Sequence, residues 1–108
     1  MYPMKRLETQ PGCIEKALQI IGDKWTALIL LELSKKDLSF TELENALPNI
    51  SPRTLSQRFS MLENEKIISK NQYCQRPIRY KYQITPKGVE LFTVLKSMAN
   101  WGAKYLNN

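Results

Sequence analysis

Five helical segments, with a β-hairpin between the fourth and the fifth, make the predicted fold class mainly α (α+β), in one domain over residues 1–108. Three observations carry this. Ser51-Pro52 and Thr85-Pro86 each place a capping side chain ahead of a proline whose φ suits a first helical turn. Between those two starts the apolar period shortens to a simple alternation, with Ile78, Tyr80, Tyr82 and Ile84 interleaved by Arg79, Lys81 and Gln83. The composition, 43% apolar and 24% charged over 108 residues, suits a single modest core.

Residues 1–12 are polar and hold Pro3, Pro11 and Gly12, which predicts a flexible arm. Ile14, Ala17, Leu18 and Ile21 fall at i, i+3, i+4, i+7, so a first helix is predicted over Cys13–Ile21, with Gly22 as its stop. Asp23 can cap a second, Lys24–Ser34, whose residues Trp25, Ala27, Leu28, Ile29, Leu30, Leu31 and Leu33 are apolar on most sides. It is predicted to be the central core helix, and its eleven residues are too few to cross a bilayer. Lys35–Leu38 reads as a turn, with Leu38-Ser39-Phe40 a candidate short strand.

Ser39 or Thr41 then caps a third helix that runs to Leu47, with Leu43, Ala46 and Leu47 facing inward. Pro48-Asn49 ends it, and Ser51 opens a fourth on which Leu55, Phe59 and Leu62 form one buried stripe. Helix, short turn, helix over 39–65 is a helix-turn-helix, whose second member is the reading helix. Two strands follow, Ile67–Tyr73 and Ile78–Ile84, with Cys74-Gln75-Arg76-Pro77 as the tip of a wing over 67–84. The closing helix, from Thr85 to about Tyr105, carries more apolar residues than one stripe holds, from Val89 to Leu106. Such a helix needs a second surface, so segment 85–106 is predicted to be a dimerisation helix. The expected architecture is a winged helix-turn-helix with a two-stranded wing and added terminal helices.

Net charge is +6, from 16 basic and 10 acidic residues, and its distribution says more than its size. Ser51–Lys87 holds eight basic residues and two acidic ones, so the rest of the chain balances. A localised basic excess is the footprint of a polyanion site. The chain has no histidine, and its two cysteines, Cys13 and Cys74, form neither a metal spacing nor a redox pair. The four glycines are too far apart for a phosphate loop. No catalytic residue, metal or cofactor is therefore expected, and the chain does not read as an enzyme. The first residues lack the apolar run of a signal peptide and no stretch is long enough to span a membrane, so a cytoplasmic location is expected.

The outer face of the fourth helix carries Arg53, Thr54, Gln57 and Met61, with Arg58 and Ser60 at its edges. Arginine suits a guanine edge and glutamine an adenine edge, so Arg53 and Gln57 are the expected base readers, with Thr54 and Arg58 on phosphates. Arg76, Arg79 and Lys81 on the hairpin would meet the backbone or minor groove, and Lys24 and Ser51 are placed to meet phosphates at helix N-termini. The predicted partner is double-stranded DNA. Trp25, Tyr82 and Trp101 read as packing residues. The competing reading is a winged-helix protein-interaction module without specific DNA binding, which would have no use for the concentrated charge.

Taken together, these residues resemble the HxlR-type family of bacterial and archaeal transcriptional regulators, winged-helix proteins related to MarR-type repressors. The landmarks are Cys13, Ile21-Gly22-Asp23-Lys24-Trp25, Phe40-x-x-Leu43 and Leu47-Pro48-x-Ile50-Ser51, then Leu55, Leu62 and Glu63, then Tyr82-x-Ile84-Thr85-x-x-Gly88 and Trp101-Gly102. They run in order over most of the chain. The resemblance implies a homodimeric repressor on a roughly palindromic operator, with dimer contacts from the terminal helices, so that 13–22 joins 85–106 as a dimerisation helix. Ile14, Leu18, Leu91, Leu95, Met98, Trp101 and Tyr105 are the candidates for those contacts. It further implies a redox- or electrophile-responsive thiol at Cys13, near a helix N-terminus and Lys16. The residues themselves read as a buried or inert Cys13, against which the sensor is the alternative, and a bridge to Cys74 would need the two within disulfide distance. Any small-molecule effector is unspecified.

Overall fold

The computed structural model describes residues 11–106, so the arm expected over 1–12 lies outside the described residues but for Pro11 and Gly12, which already belong to a helix. The elements are α1 Pro11–Ile21, α2 Lys24–Lys35, α3 Phe40–Ala46, α4 Pro52–Asn64, β1 Ile68–Gln75, β2 Ile78–Ile84 and α5 Pro86–Tyr105. That order, with one antiparallel hairpin, is a winged helix-turn-helix.

Local chemistry sets most of the helix starts. Asp23 Oδ1 accepts the Thr26 amide at 3.0 Å at the head of α2, and Ser51 Oγ accepts the Thr54 amide at 3.1 Å at the head of α4. Ser39, rather than Thr41, caps α3. Its hydroxyl accepts the Glu42 amide while the Glu42 carboxylate accepts the Ser39 amide, at 3.1 and 2.9 Å. The Ser39 amide holds the Glu42 carboxyl below its usual range. Leu38 makes an isolated bridge to Tyr82 where a short strand was expected, because Ser39 and Phe40 turn away to cap and open α3.

The core forms where α2, α3, α4 and the root of the hairpin meet. Ile29 and Leu30 of α2, Leu43 of α3 and Leu55 and Leu62 of α4 are fully buried. Phe59 joins the layers: its ring lies 5.5 Å from Phe40, edge-on, and 4.2 Å from Tyr82. One α4 side chain thus binds the helix before it and the wing after it. Burial pushes the Tyr82 phenol pKa up, with Glu63 adding to it.

The α4 C-terminus is built by backbone. Lys66 takes φ 61, its amide reaches the Glu63 carbonyl at 2.9 Å, and the Ile67 amide reaches the Leu62 carbonyl at 2.9 Å. This is a Schellman motif with lysine in the left-handed position, closed by the buried pair Leu62 and Ile67. Ile67 is committed to the helix end, so β1 begins at Ile68. The hairpin pairs Ile68 with Ile84 and Gln72 with Tyr80, then slips: Tyr73 has no partner, and Cys74 faces Arg79. That extra residue carries β1 on to Gln75, so the tip is Arg76-Pro77 and not the four residues expected.

α5 starts against this junction. Thr85 Oγ1 accepts the Gly88 amide at 3.1 Å and donates to the Lys66 carbonyl at 2.7 Å. A Cβ on Gly88 would lie 2.2 Å from the Ile67 carbonyl oxygen, so only glycine lets the helix pass this close. Further along, Leu91, Phe92 and Leu95 pack on the core across α2. The Cα radius of gyration, 16.0 Å, exceeds the roughly 13 Å of a compact chain near this length. The terminal helices extend the molecule.

Candidate nucleic-acid interface

α4 presents two faces of opposite character. Leu55, Phe59 and Leu62 are buried, whereas Arg53 and Gln57, four residues apart and so on one side of the helix, are exposed. Thr54 is half-buried, and the Ser51 hydroxyl donates to its Oγ1 at 2.9 Å, joining these two candidates within the cap. Met61, expected on the outer face, packs against the core.

Arg58 departs further from expectation. Its Nε donates to Asp23 Oδ2 at 2.7 Å and its Nη2 lies 2.5 Å from the same oxygen. The guanidinium predicted for a phosphate is bound to the head of α2. Burial works against the Asp23 carboxylate, but the Thr26 amide and the Arg58 guanidinium outweigh it, and the pKa sits below the usual value.

The hairpin supplies the second basic surface. Arg76 at the tip and Arg79 on β2 are exposed. Lys81 is half-buried, with Nζ 5.2 Å over the Tyr73 ring, and Lys70 stands 4.4 Å over Tyr80. The apolar face of β2 is buried only at Tyr82, since Tyr80 and Ile78 run out past the core and stay exposed. Below them an open cleft of about 460 Å³ separates the hairpin from the first turn of α3, with Phe40, Tyr73, Tyr80 and Arg79 among its walls. Lys24, the first residue of α2, is exposed with its ammonium 4.8 Å from the Trp25 ring.

The apolar candidates divide. Ile14, Leu18, Met98, Trp101 and Tyr105 are all more than half exposed, whereas Leu91 and Leu95 are half-buried against their own chain. The α1 stripe does not face the chain's core: Ile14, Ala17 and Leu18 are exposed, and Ile20 makes the core contact. Between α2 and α5 lies an apolar groove of about 180 Å³, lined by Leu28, Leu31, Phe92 and Leu95. Cys13 is exposed inside the first turn of α1, which starts two residues earlier than expected, and Cys74 is half-buried; both are free thiols. Among the described residues no cluster of three metal-ligating side chains occurs, and no helix is long and apolar enough to cross a membrane.

Sequence reasoning missed the second role of Asp23, seen only as a cap. Its partner stands 35 residues away, and no local pattern announces such a pair. It also missed Lys87, whose ammonium donates to the Glu65 carbonyl at 2.6 Å and ties α5 to the end of α4.

This arrangement recurs in known proteins. The model of the HxlR-like helix-turn-helix family matches residues 20–108. The uncharacterised HTH-type transcriptional regulator YvaP of Bacillus subtilis is 36% identical over 93 residues, covering 86% of each chain. An uncharacterised HTH-type transcriptional regulator of Methanothermobacter thermautotrophicus is 33% identical, over 85% of this chain and 70% of its own. The crystal structure of the HTH-type regulator YtcD superposes with a TM-score of 0.81 at 32% identity, over 88% of this chain and 97% of that one. The reduced form of the transcriptional regulator YodB from B. subtilis gives 0.78 at 26%, over 98% and 96%, and the oxidised form of the redox regulator HypR 0.76 at 27%, over 84% and 94%. These relatives are transcriptional regulators, and the chain belongs to the HxlR-like helix-turn-helix family of DNA-binding transcriptional regulators.

Proposed function

We propose that the protein is a cytoplasmic repressor that binds a roughly palindromic operator in double-stranded DNA as a homodimer, with α4 in the major groove and the hairpin beside it. The observation that carries this is the α4 surface: Arg53 and Gln57 are exposed together while Leu55, Phe59 and Leu62 hold the opposite face in the core. Arg53 and Gln57 read base edges. Ser51, Thr54 and Lys24, at two helix N-termini, meet phosphates, and Arg76, Arg79 and Lys81 meet the backbone or minor groove. The second copy covers the apolar surface of α1 and α5 around Ile14, Leu18, Met98, Trp101 and Tyr105.

Selection of bound duplexes from a random pool tests the reading: a single motif of two inverted half-sites is expected, and recovery of unrelated sequences overturns it. On the selected duplex Arg53→Ala should cost about 1–3 kcal/mol and relax preference at one base pair. Arg79→Ala should weaken all duplexes alike and make the salt dependence shallower by about one unit of slope. Equal affinity of either variant and the wild type would remove that residue from the interface.

A thiol-responsive version has one observation in its favour: Cys13 is exposed in the first turn of α1, in a fold shared with a redox regulator. Duplex binding should then differ between reduced and diamide-treated protein, and Cys13→Ser should abolish the difference. An oxidant effect that survives in Cys13→Ser excludes this thiol.

A further inference from the structure

A stripe of leucine and phenylalanine fixes which face of α4 is buried, but apolar contact is non-directional and constrains sliding along the axis only weakly. Directional contacts do that. Among the described residues the one ion pair between different elements is Arg58 on α4 with Asp23 at the head of α2. Two guanidinium nitrogens converge on Oδ2 while Oδ1 caps α2 through Thr26. The carboxylate is thus aimed by the helix it caps, and the guanidinium fork accepts only a narrow range of approach. Arg58 is one residue from Gln57 and five from Arg53.

We propose that Asp23 is a positioning residue for the reading helix: through Arg58 it sets where α4 stands along its own axis, and so the alignment of Arg53 and Gln57 with base edges. This rests on α4 being the reading helix. Arg58 acts through the protein, not as a phosphate contact. Loss of the pair leaves the sequence-independent attraction to DNA in place and blurs discrimination, since a base contact depends on angle and distance far more than a phosphate contact does.

The test compares the selected duplex with a scrambled one of equal length, at two salt concentrations. Asp23→Ser retains a capping hydroxyl but is too short to hold the guanidinium, and Arg58→Lys retains the charge but loses the fork. Both variants should lower the ratio of selected to scrambled affinity roughly ten-fold, with scrambled affinity undiminished and the salt slope no shallower. The double variant should lose no more than either single one, as expected of a shared contact. If Asp23→Ser does not fold, as judged by thermal melting, Asp23→Asn takes its place and should give a smaller loss of the same kind.

Two results overturn the proposal. One is full discrimination in Arg58→Lys together with an Arg58→Ala whose salt slope is shallower by about one, which is the behaviour of a phosphate contact. The other is discrimination at the wild-type level in the folded Asp23 variant. A wild-type protein that selects no duplex would instead fail the reading-helix assignment, so the two failures are told apart.

Discussion

α4 and α5 are opposites. α4 has 13 residues, is polar on average, and buries Leu55, Phe59 and Leu62 almost completely. α5 has 20 residues and a richer apolar content, yet the residue it buries is Gly88. Leu91, Phe92 and Leu95 are half-buried, and Val94, Met98, Trp101 and Tyr105 are at least half exposed. Burial is therefore set by where an element sits, not by how hydrophobic it is. The helix-turn-helix and hairpin root close their own core, whereas the terminal helices keep apolar side chains exposed among the described residues. In the homodimer proposed above a second copy covers this patch, and α1 adds to it with Ile14 and Leu18, both more than half exposed.

The sharpest way to break this contrast is to delete one core side chain from the helix-turn-helix half. Leu55 is 0% exposed, so Leu55→Ala should cost about 2–5 kcal/mol, read as a lower urea midpoint at unchanged slope. That is a large part of the whole stability of a small domain. Met98→Ala on α5 should move the same midpoint by about 0.5 kcal/mol or less in the monomer. Similar losses in the two variants would mean that the halves are not distinct.

The next effect is on association. Trp101 is 58% exposed, its ring 5.4 Å from Tyr105, and aromatic pairs of this kind anchor interfaces. Trp101→Glu should weaken the dimer by about 2 kcal/mol or more and leave the fold intact. Sedimentation at micromolar concentration reads it: a dimer for the wild type and a monomer for the variant. A wild-type monomer would leave the α5 surface for some other partner.

How much of this was legible depends on range. The caps at Asp23, Ser51 and Thr85 were readable, and Ser39 as one of two candidates, because a cap needs only neighbours within three residues, and the α4 stripe because its period is local. The excess of apolar residues on α5 was also readable. Its division was not: Leu91 and Leu95 look no different in sequence from Met98 and Trp101, and only the position of α2 separates them. The same holds for the Arg58 contact with Asp23, which joins residues 35 positions apart and shows only in the tertiary structure. The bulge at Tyr73 shortened the hairpin tip from four residues to two, and nothing in a run such as Asn71-Gln72-Tyr73-Cys74 announces it.

The smallest expected effect lies at the joint between the two regions. Lys66 ends α4 with φ 61, a conformation that costs an L-residue about 1–2 kcal/mol and glycine nothing steric. Glycine loses more chain entropy on folding, roughly 0.5–1 kcal/mol, which offsets part of that gain. Lys66→Gly should therefore stabilise the protein by about 0.5–1 kcal/mol, whereas Lys66→Ala, which retains the Cβ, should not. The amides of Lys66 and Ile67 would still close the helix, and the Lys66 carbonyl would still accept from Thr85. Because this joint carries both the end of the reading helix and the start of α5, the gain should appear as a single cooperative transition at a higher urea midpoint. Two separated transitions in Lys66→Gly would show instead that the halves unfold independently and that α4 and α5 differ in stability as well as in burial.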